Sequence, residues 1–353
     1  MLFGLETVLE SDSSVGAAEY SERPVFASFY AVAGRFVCVE TSDAEINELM
    51  MRYFAGWHVS HVRADAVAAD VTIAIHMADD QPTPPANLAP FEVAEGGLCR
   101  TDGRVYFFEN HGSTVVAHRG LPRVGVWIGN TAASRERAVL ARLIFNAVMV
   151  AMRRCGLYEL HAAGVVSPSG EGILIIGPSR SGKSNLAAQL ASAGWQYLSD
   201  DTVLLYSRTG DIHAHALRRM FALTDEVFSA AGLAQSDSIK VSVVPFDPLK
   251  KRFEPAPVFP GRFALSCKPT RLLFPRIEND AVSRIQLLNR SETMARLIRM
   301  CPWACYDKAT AEAHLEVLGG LARQAKGFEL RAGVDLLNSK RASEFLLSQF
   351  NTN

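Results

Sequence analysis

The chain has 353 residues, with 36 lysines and arginines against 37 aspartates and glutamates, a formal net charge of −1 and 48% hydrophobic residues. That balance excludes a global basic field of the kind that gathers nucleic acid or an anionic membrane surface, and no apolar run is as long as a membrane span. The length exceeds what one core ordinarily serves, so a soluble globular protein of two domains is expected.

Residues 1–20 are small, polar and rich in Glu and Ser, which predicts a loose segment or a short edge. The start, MLFGLETVLESDSS, has neither a basic opening nor a long apolar stretch, so no secretory leader is expected. Six scattered cysteines (Cys38, Cys99, Cys155, Cys267, Cys301 and Cys305) suit reduced thiols and a cytoplasmic location. Cys301 and Cys305 are the close pair; without nearby partner ligands they read as buried or half-buried thiols.

Strand-like runs follow at Val25–Ala31 and Phe36–Glu40, turned by Gly34-Arg35. Ser42 is placed to cap a helix over Asp43–Phe54, whose Ile46, Leu49, Met50 and Tyr53 share a face. Val71–His76 reads as a strand and the proline-rich stretch Gln81–Pro90 as a loop. Short strands are expected at Phe91–Ala94, Arg104–Phe108, Thr114–His118 and Val124–Ile128, with Asp102-Gly103 as a hairpin turn. Residues 1–133 therefore form an expected mixed α+β domain, mainly antiparallel sheet. Ser134 is placed to cap a connecting helix over 134–154, with Val139, Leu140, Leu143, Ile144, Ala147 and Val148 as its apolar stripe.

The remainder, 155–353, is organised around one motif. Tyr158–Val166 reads as a strand carrying His161, and Ser167–Gly170 turns it into the apolar run Ile173–Ile176. Gly177-Pro178-Ser179-Arg180-Ser181-Gly182-Lys183-Ser184 matches G-x-x-x-x-G-K-[ST], followed by a helix over Asn185–Ala193 that stops at Gly194. Such a loop aims backbone N–H groups and a helix dipole at phosphate, Lys183 serves the β- and γ-phosphates, and the Ser184 hydroxyl suits Mg²⁺. Nucleotide binding is the strongest expectation. Asp200-Asp201 come next, before the apolar strand Val203–Tyr206, an order unlike that of motors and GTPases. Transfer to a hydroxyl needs a carboxylate to position the acceptor and take its proton, and this pair is placed to supply it. By composition His161 is no different from His58, His61, His76, His213 and His215; its place before the loop singles it out.

Farther on, Ile212–Leu217 pairs back, Thr224 starts a helix to Ala231, and Lys240–Val244 and Leu272–Pro275 are strands separated by a proline-rich loop. Within that loop Phe259–Arg262 is a candidate lid. Lys240, Arg262, Arg271 and Arg276 are candidate cations for phosphate or substrate. Helices are expected at Ser291–Met300, Thr310–Ala325 and Ser339–Gln349, and a strand at Phe328–Ala332.

His161, the loop Gly177–Ser184, the following helix and Asp200-Asp201 before Val203 together resemble the HPr kinase/phosphorylase family and its serine-kinase-like relatives. The resemblance covers residues 155–215 well and the rest of the C-terminal half loosely. It implies an α/β fold (α+β overall) like the phosphoenolpyruvate carboxykinase nucleotide domain, a twisted mixed sheet with the loop at its edge. It implies ATP and Mg²⁺, Asp200 as general base toward a serine hydroxyl, Asp201 with Ser184 as Mg²⁺ partners, and His161 as the neighbour that orients the acid. Pro178, Arg180 and Asn185 stand where the family pattern has Asp, Gly and Glu, and the later glycine-rich signature has no clear copy. The chain is thus more similar to the divergent relatives, including those associated with modified-peptide biosynthesis, whose substrate is a serine on a protein or peptide. Neither nucleic acid nor membrane is expected as a partner, and a homo-oligomer is allowed. Two alternatives stay open: a small-molecule or carboxykinase-like enzyme, and a non-catalytic ATP-dependent binding or regulatory protein.

Overall fold

The computed structural model describes residues 26–63, 67–77, 81–93, 97–230, 241–244, 247–278 and 280–352. The expectations for residues 1–20 and for Lys240 lie outside them.

The first half builds a nine-stranded sheet. Its strands are β1 (Phe26–Val32), β2 (Arg35–Thr41), β3 (Ser60–Val62), β4 (Val71–Met77), β5 (Phe91–Val93), β6 (Gly97–Thr101), β7 (Val105–Asn110), β8 (Ser113–His118) and β9 (Arg123–Ile128), in the order β3-β1-β2-β4-β9-β8-β7-β6-β5. Only the β2–β4 and β4–β9 pairs are parallel. The expected turn sits one residue early, at Ala33-Gly34, both with positive φ. Asp102 and Gly103 join β6 to β7, and the Asp102 carboxylate accepts the Arg104 and Val105 amides.

Helix α1 (Ala44–Ala55) is capped by Asp43, which accepts from the Ile46 amide, and not by Ser42 as expected. It buries Ile46, Met50 and Phe54. Helix α2 (Arg137–Arg154) starts three residues after Ser134, whose hydroxyl instead donates to the Gly129 and Thr131 carbonyls. The whole stretch Asn146–Arg153 is buried, because α2 packs on β4, β8 and β9 and its cluster continues into Leu204 and Leu217 of the second half. It is a core helix and more than a connector.

The second half layers two sheets. A six-stranded sheet has the order β13 (Gln196–Ser199), β11 (Ala162–Val166), β12 (Gly172–Ile176), β20 (Pro269–Ile277), β22 (Lys326–Ala332), β21 (Arg284–Leu287). A four-stranded sheet has the order β10 (Tyr158–Leu160), β14 (Val203–Arg208), β15 (Asp211–Ala216), β19 (Ser266–Cys267). Alternation along β12 sorts the layers. Ile173 and Ile175 join a core with α3 (Lys183–Ser192) and α8 (Ser339–Thr352), while Leu174 and Ile176 face the four-stranded sheet and α7 (Ala311–Gln324). All four are fully buried, each contributing about 1.5–3 kcal/mol relative to exposure. Helix α5 (Arg290–Arg299) opens with an Asn289–Glu292 capping box, and the short α6 (Trp303–Tyr306) follows it.

Several expectations are corrected. The expected single strand Tyr158–Val166 is two strands in different sheets, broken at His161. A strand, β13, precedes Asp200-Asp201, so the acids end a strand after all. The loop leaves β12 from the middle of the six-stranded sheet and not from its edge. Thr224 ends β16 (Phe221–Thr224), and α4 (Asp225–Ala230) begins after it. The proline-rich loop contains a strand, β18 (Asp247–Phe253), which lies between β16 and β17 (Val241–Val244). Pro248 is accommodated in it, while Pro255, Pro257 and Pro260 lie in the turns beyond. Cys305, expected to be at least half-buried, is exposed. Among the described residues, no helix is long and apolar enough to cross a membrane.

Candidate active site

The loop Gly177–Ser184 connects the buried end of β12 to the first turn of α3. Lys183 starts the helix two residues earlier than expected, behind Gly182 at φ +93°. A Cβ on Gly177 would lie 2.7 Å from Ser181 Oγ, so a larger residue would displace the Ser181 hydroxyl from inside the loop. Arg180 also takes a left-handed φ, +67°. Lys183 Nζ donates to the Gly177 and Pro178 carbonyls at 2.8 and 2.9 Å, tying the loop to its own helix. Pro178, Ser179 and Arg180 form the exposed crest; Ser181 and Lys183 are buried, and Ser184 and Asn185 are half-buried.

Asp200 and Asp201 part company. Asp200 is buried: Ser184 Oγ donates to its Oδ1 at 2.6 Å, and the Ala222 amide donates to its Oδ2 at 3.0 Å. Burial, reinforced by the neighbouring Asp201 charge, pushes its pKa up to about 6 against the pull of Ser184, Ala222 and Lys183. A carboxyl raised in the fold binds its proton more tightly there than in the unfolded chain. Its stabilising contribution is therefore present below the ordinary carboxylate range and is lost as pH climbs through about 6. Asp200→Asn has nothing to lose there. Its urea midpoint is expected to gain on that of the unmodified protein between about pH 4 and pH 7, and parallel pH profiles would refute the assignment.

Asp201 adopts a left-handed φ of +75° that turns its carboxylate outward, where it remains exposed. Its Oδ1 lies 3.3 Å from His161 Nδ1. Crowding in the cleft raises its pKa, but the charges of His161, Arg218 and Lys183, with a hydrogen bond from Thr202, together pull it below the usual carboxylate range. His161 and Asp201 meet because each occupies a short joint where the chain leaves one sheet for the other: β10 to β11 at His161, and β13 to β14 at 200–202.

His161, Asp201, Thr202 and Pro178 line one cleft of about 390 Å³, walled by Phe145 of α2 and by Trp303 of α6. Arg218 and Arg299 also line it. The Arg218 guanidinium lies over the Trp57 and Phe145 rings, 5.5 and 5.0 Å from their centroids, and its buried Nε has no hydrogen-bond partner. Arg252 of β18 faces the same acids; burial, then Arg218, lowers its pKa while Asp201 and Asp200 counter. Neither arginine had a motif to announce it. Arg218 arrives through an isolated bridge with Trp57, and Arg252 through pairing with Ala222, the residue bonded to Asp200.

The cations singled out from sequence go elsewhere. Arg271 pairs with Glu171 at 3.2 Å, Arg276 lies 3.8 Å from Glu278, and Arg262 donates to the Gly194 carbonyl. The expected lid Phe259–Arg262 is fixed beside β13: the Tyr197 amide donates to the Arg262 carbonyl, and Phe259 is buried. It does not line the cleft.

The donors suit Mg²⁺ with a triphosphate. Ser184 Oγ and the Asp200 carboxylate, 2.6 Å apart, are hard oxygen donors of the kind Mg²⁺ takes together with phosphate and water oxygens, while the Asp201 carboxylate is turned toward His161. No group of three or more His, Cys, Asp or Glu side chains gathers for a metal among the described residues. Ser181 Oγ is buried inside the loop without a hydrogen-bond partner, as befits a group that serves a ligand there.

No family model and no curated protein matches this chain. Among solved structures it is similar to the Hpr(Ser) kinase/phosphatase from Coxiella burnetii, at 10% identity and a TM-score of 0.29, covering 55% of this chain and 97% of that one. The mixed α/β architecture and the site rest on this chain's own strands, helices and side chains.

Proposed function

We propose that the protein transfers a phosphoryl group from Mg²⁺-bound ATP to a hydroxyl, with a serine of a protein or peptide as acceptor. One observation carries this reading: Pro178 of the Gly177–Ser184 loop and the His161–Asp201 pair line the same cleft, and the loop's Ser184 is joined to Asp200 by a hydrogen bond. Bound Mg²⁺ and nucleotide supply the phosphoryl group and neutralise its charge.

The residues divide the remaining work. Loop amides and Lys183 hold the phosphates, and Ser184, oriented by Asp200, meets the metal. Asp200 is buried and does not line the cleft, its oxygens turned to Ser184 and the Ala222 amide, so we assign the acceptor proton to Asp201, whose carboxylate lines the cleft and is ionised at neutral pH. A weak base suffices, because little proton transfer is needed in a loose, metaphosphate-like transition state. His161 holds that carboxylate in place, and Arg218 supplies fixed positive charge where negative charge spreads during transfer.

The test is incubation of the purified protein with γ-labelled ATP, Mg²⁺ and candidate peptides encoded by neighbouring genes, followed by mapping of the labelled residue. Label on a serine is expected, with loss in Lys183→Met. Calorimetry finding no triphosphate uptake in the presence of Mg²⁺ would overturn the reading. The cleft volume of about 390 Å³ also suits a small hydroxylated metabolite. Arg218 and Arg299 then favour an anionic one, and label transferred to such a compound instead of a peptide would select it.

A further inference from the structure

On the other side of the loop from the acids lies a second cavity, lined by Ser181, Gly182 and Gln189 on one flank and by Ile277, Val334 and Leu337 on the other. Its walls are mostly apolar. Ile277, Val334 and Leu337 are 56%, 56% and 39% exposed, which is unusual for large aliphatic side chains and leaves apolar surface open to a ligand. Ile277 follows the buried part of β20 and bears directly on the loop, since a Cβ on Gly182 would lie 3.5 Å from its Cδ1. Val334 and Leu337 belong to a 3-10 turn, Val334–Leu337, pinned by the Val334 amide donating to the Asp280 carbonyl.

One polar group stands out in this wall. Gln189 is 1% exposed, its Oε1 accepts from the Ser339 hydroxyl, and its Nε2 is buried with no hydrogen-bond partner. Buried amide donors are nearly always paired, so an unpaired one lining a cavity points to a ligand acceptor. With the carbonyl accepting from Ser339, the N–H₂ is left to offer.

We infer that this cavity receives the base of the nucleoside triphosphate, with the ring packed between Ile277 and the Val334–Leu337 turn and a ring nitrogen or carbonyl accepting from Gln189. The assignment rests on the triphosphate reading above and extends it to the nucleoside. A flat heteroaromatic ring matches both features, apolar faces for the aliphatic walls and an acceptor at its edge. Continuity with the loop through Ser181 and Gly182 places this site next to the phosphates and apart from the acceptor cleft.

Calorimetric titration of the full chain with Mg²⁺-ATP and with Mg²⁺-tripolyphosphate tests the assignment. ATP is expected to bind at least about tenfold more tightly than tripolyphosphate. Val334→Asp, an exposed position with little bearing on folding, is expected to remove that preference while tripolyphosphate affinity stays unchanged. Gln189→Met is expected to weaken ATP by about tenfold, again without effect on tripolyphosphate. Equal binding of the two ligands by the unmodified protein, or equal losses for both in Val334→Asp, would overturn the base site and leave the triphosphate reading standing. Failure of both ligands to bind would overturn the two together.

Discussion

Asp201→Asn is expected to slow phosphoryl transfer about 10²- to 10⁴-fold, with ATP affinity nearly unchanged. The substitution is clean for a structural reason. Asp201 sits at φ +75°, and asparagine tolerates the left-handed region better than most residues, so the joint between β13 and β14 keeps its shape. What is lost is the negative charge facing the cleft and the site that accepts a proton. Asp200→Asn is expected to behave differently, because that carboxylate is buried behind the cleft, where it holds Ser184 and the Ala222 amide, and does not line it. Its effect falls first on the metal-dependent part of nucleotide affinity. Steady-state kinetics and calorimetry on the two variants separate the roles. If Asp200→Asn abolished transfer at full nucleotide affinity while Asp201→Asn remained active, the proton would belong to Asp200, as the family resemblance implies.

The second large effect concerns stability. Asp307→Ala is expected to destabilise the protein by about 3–5 kcal/mol, read as a lowered urea midpoint. Asp307 is fully buried; Arg153 Nε donates to it at 3.1 Å and Arg154 Nη1 at 2.7 Å, while Arg153 also pairs with buried Glu159. Burial raises the Asp307 pKa, and the two arginines outweigh it and hold the carboxyl below its ordinary range. Its contribution is therefore present above the unfolded value and lost as pH falls through the depressed one. Among the described residues, removing the carboxylate leaves Arg153 with Glu159 alone and Arg154 with no carboxylate partner, only the Val150 carbonyl at 3.5 Å. The loss also spreads, because this cluster ties α2, β10 and the segment after α6 together, and Glu159 and Trp303 line the acceptor cleft. A midpoint unchanged by Asp307→Ala would show that water or a neighbour replaces it at no cost.

Much of this was legible in the chain because local rules and the final packing agree. Alternating Ile173–Ile176 is buried on both faces, and the glycines at 177, 182 and 194 sit where close approach or positive φ demands them. The strand–loop–helix around Lys183 therefore follows from its own residues. What escaped is non-local. The short strands β3, β6, β13, β16, β19 and β21 have too few residues for a periodic signal and exist through their partners. Arg218 is held at the cleft by a bridge to Trp57, far away in sequence, and by the Ser199 hydroxyl. The broken strand at His161 reads as one strand, since no Gly, Pro or turn residue lies between Tyr158 and Ala163 to mark the change of sheet.

That change of sheet has a mechanical meaning. Leu160 faces Val203 in one sheet, and Gly164 faces Ser199 in the other, so two neighbouring segments cross the boundary at the same level. His161 and Asp201 straddle it from opposite segments. The pair thus clasps the two layers at a point where neither joint has a ladder of its own.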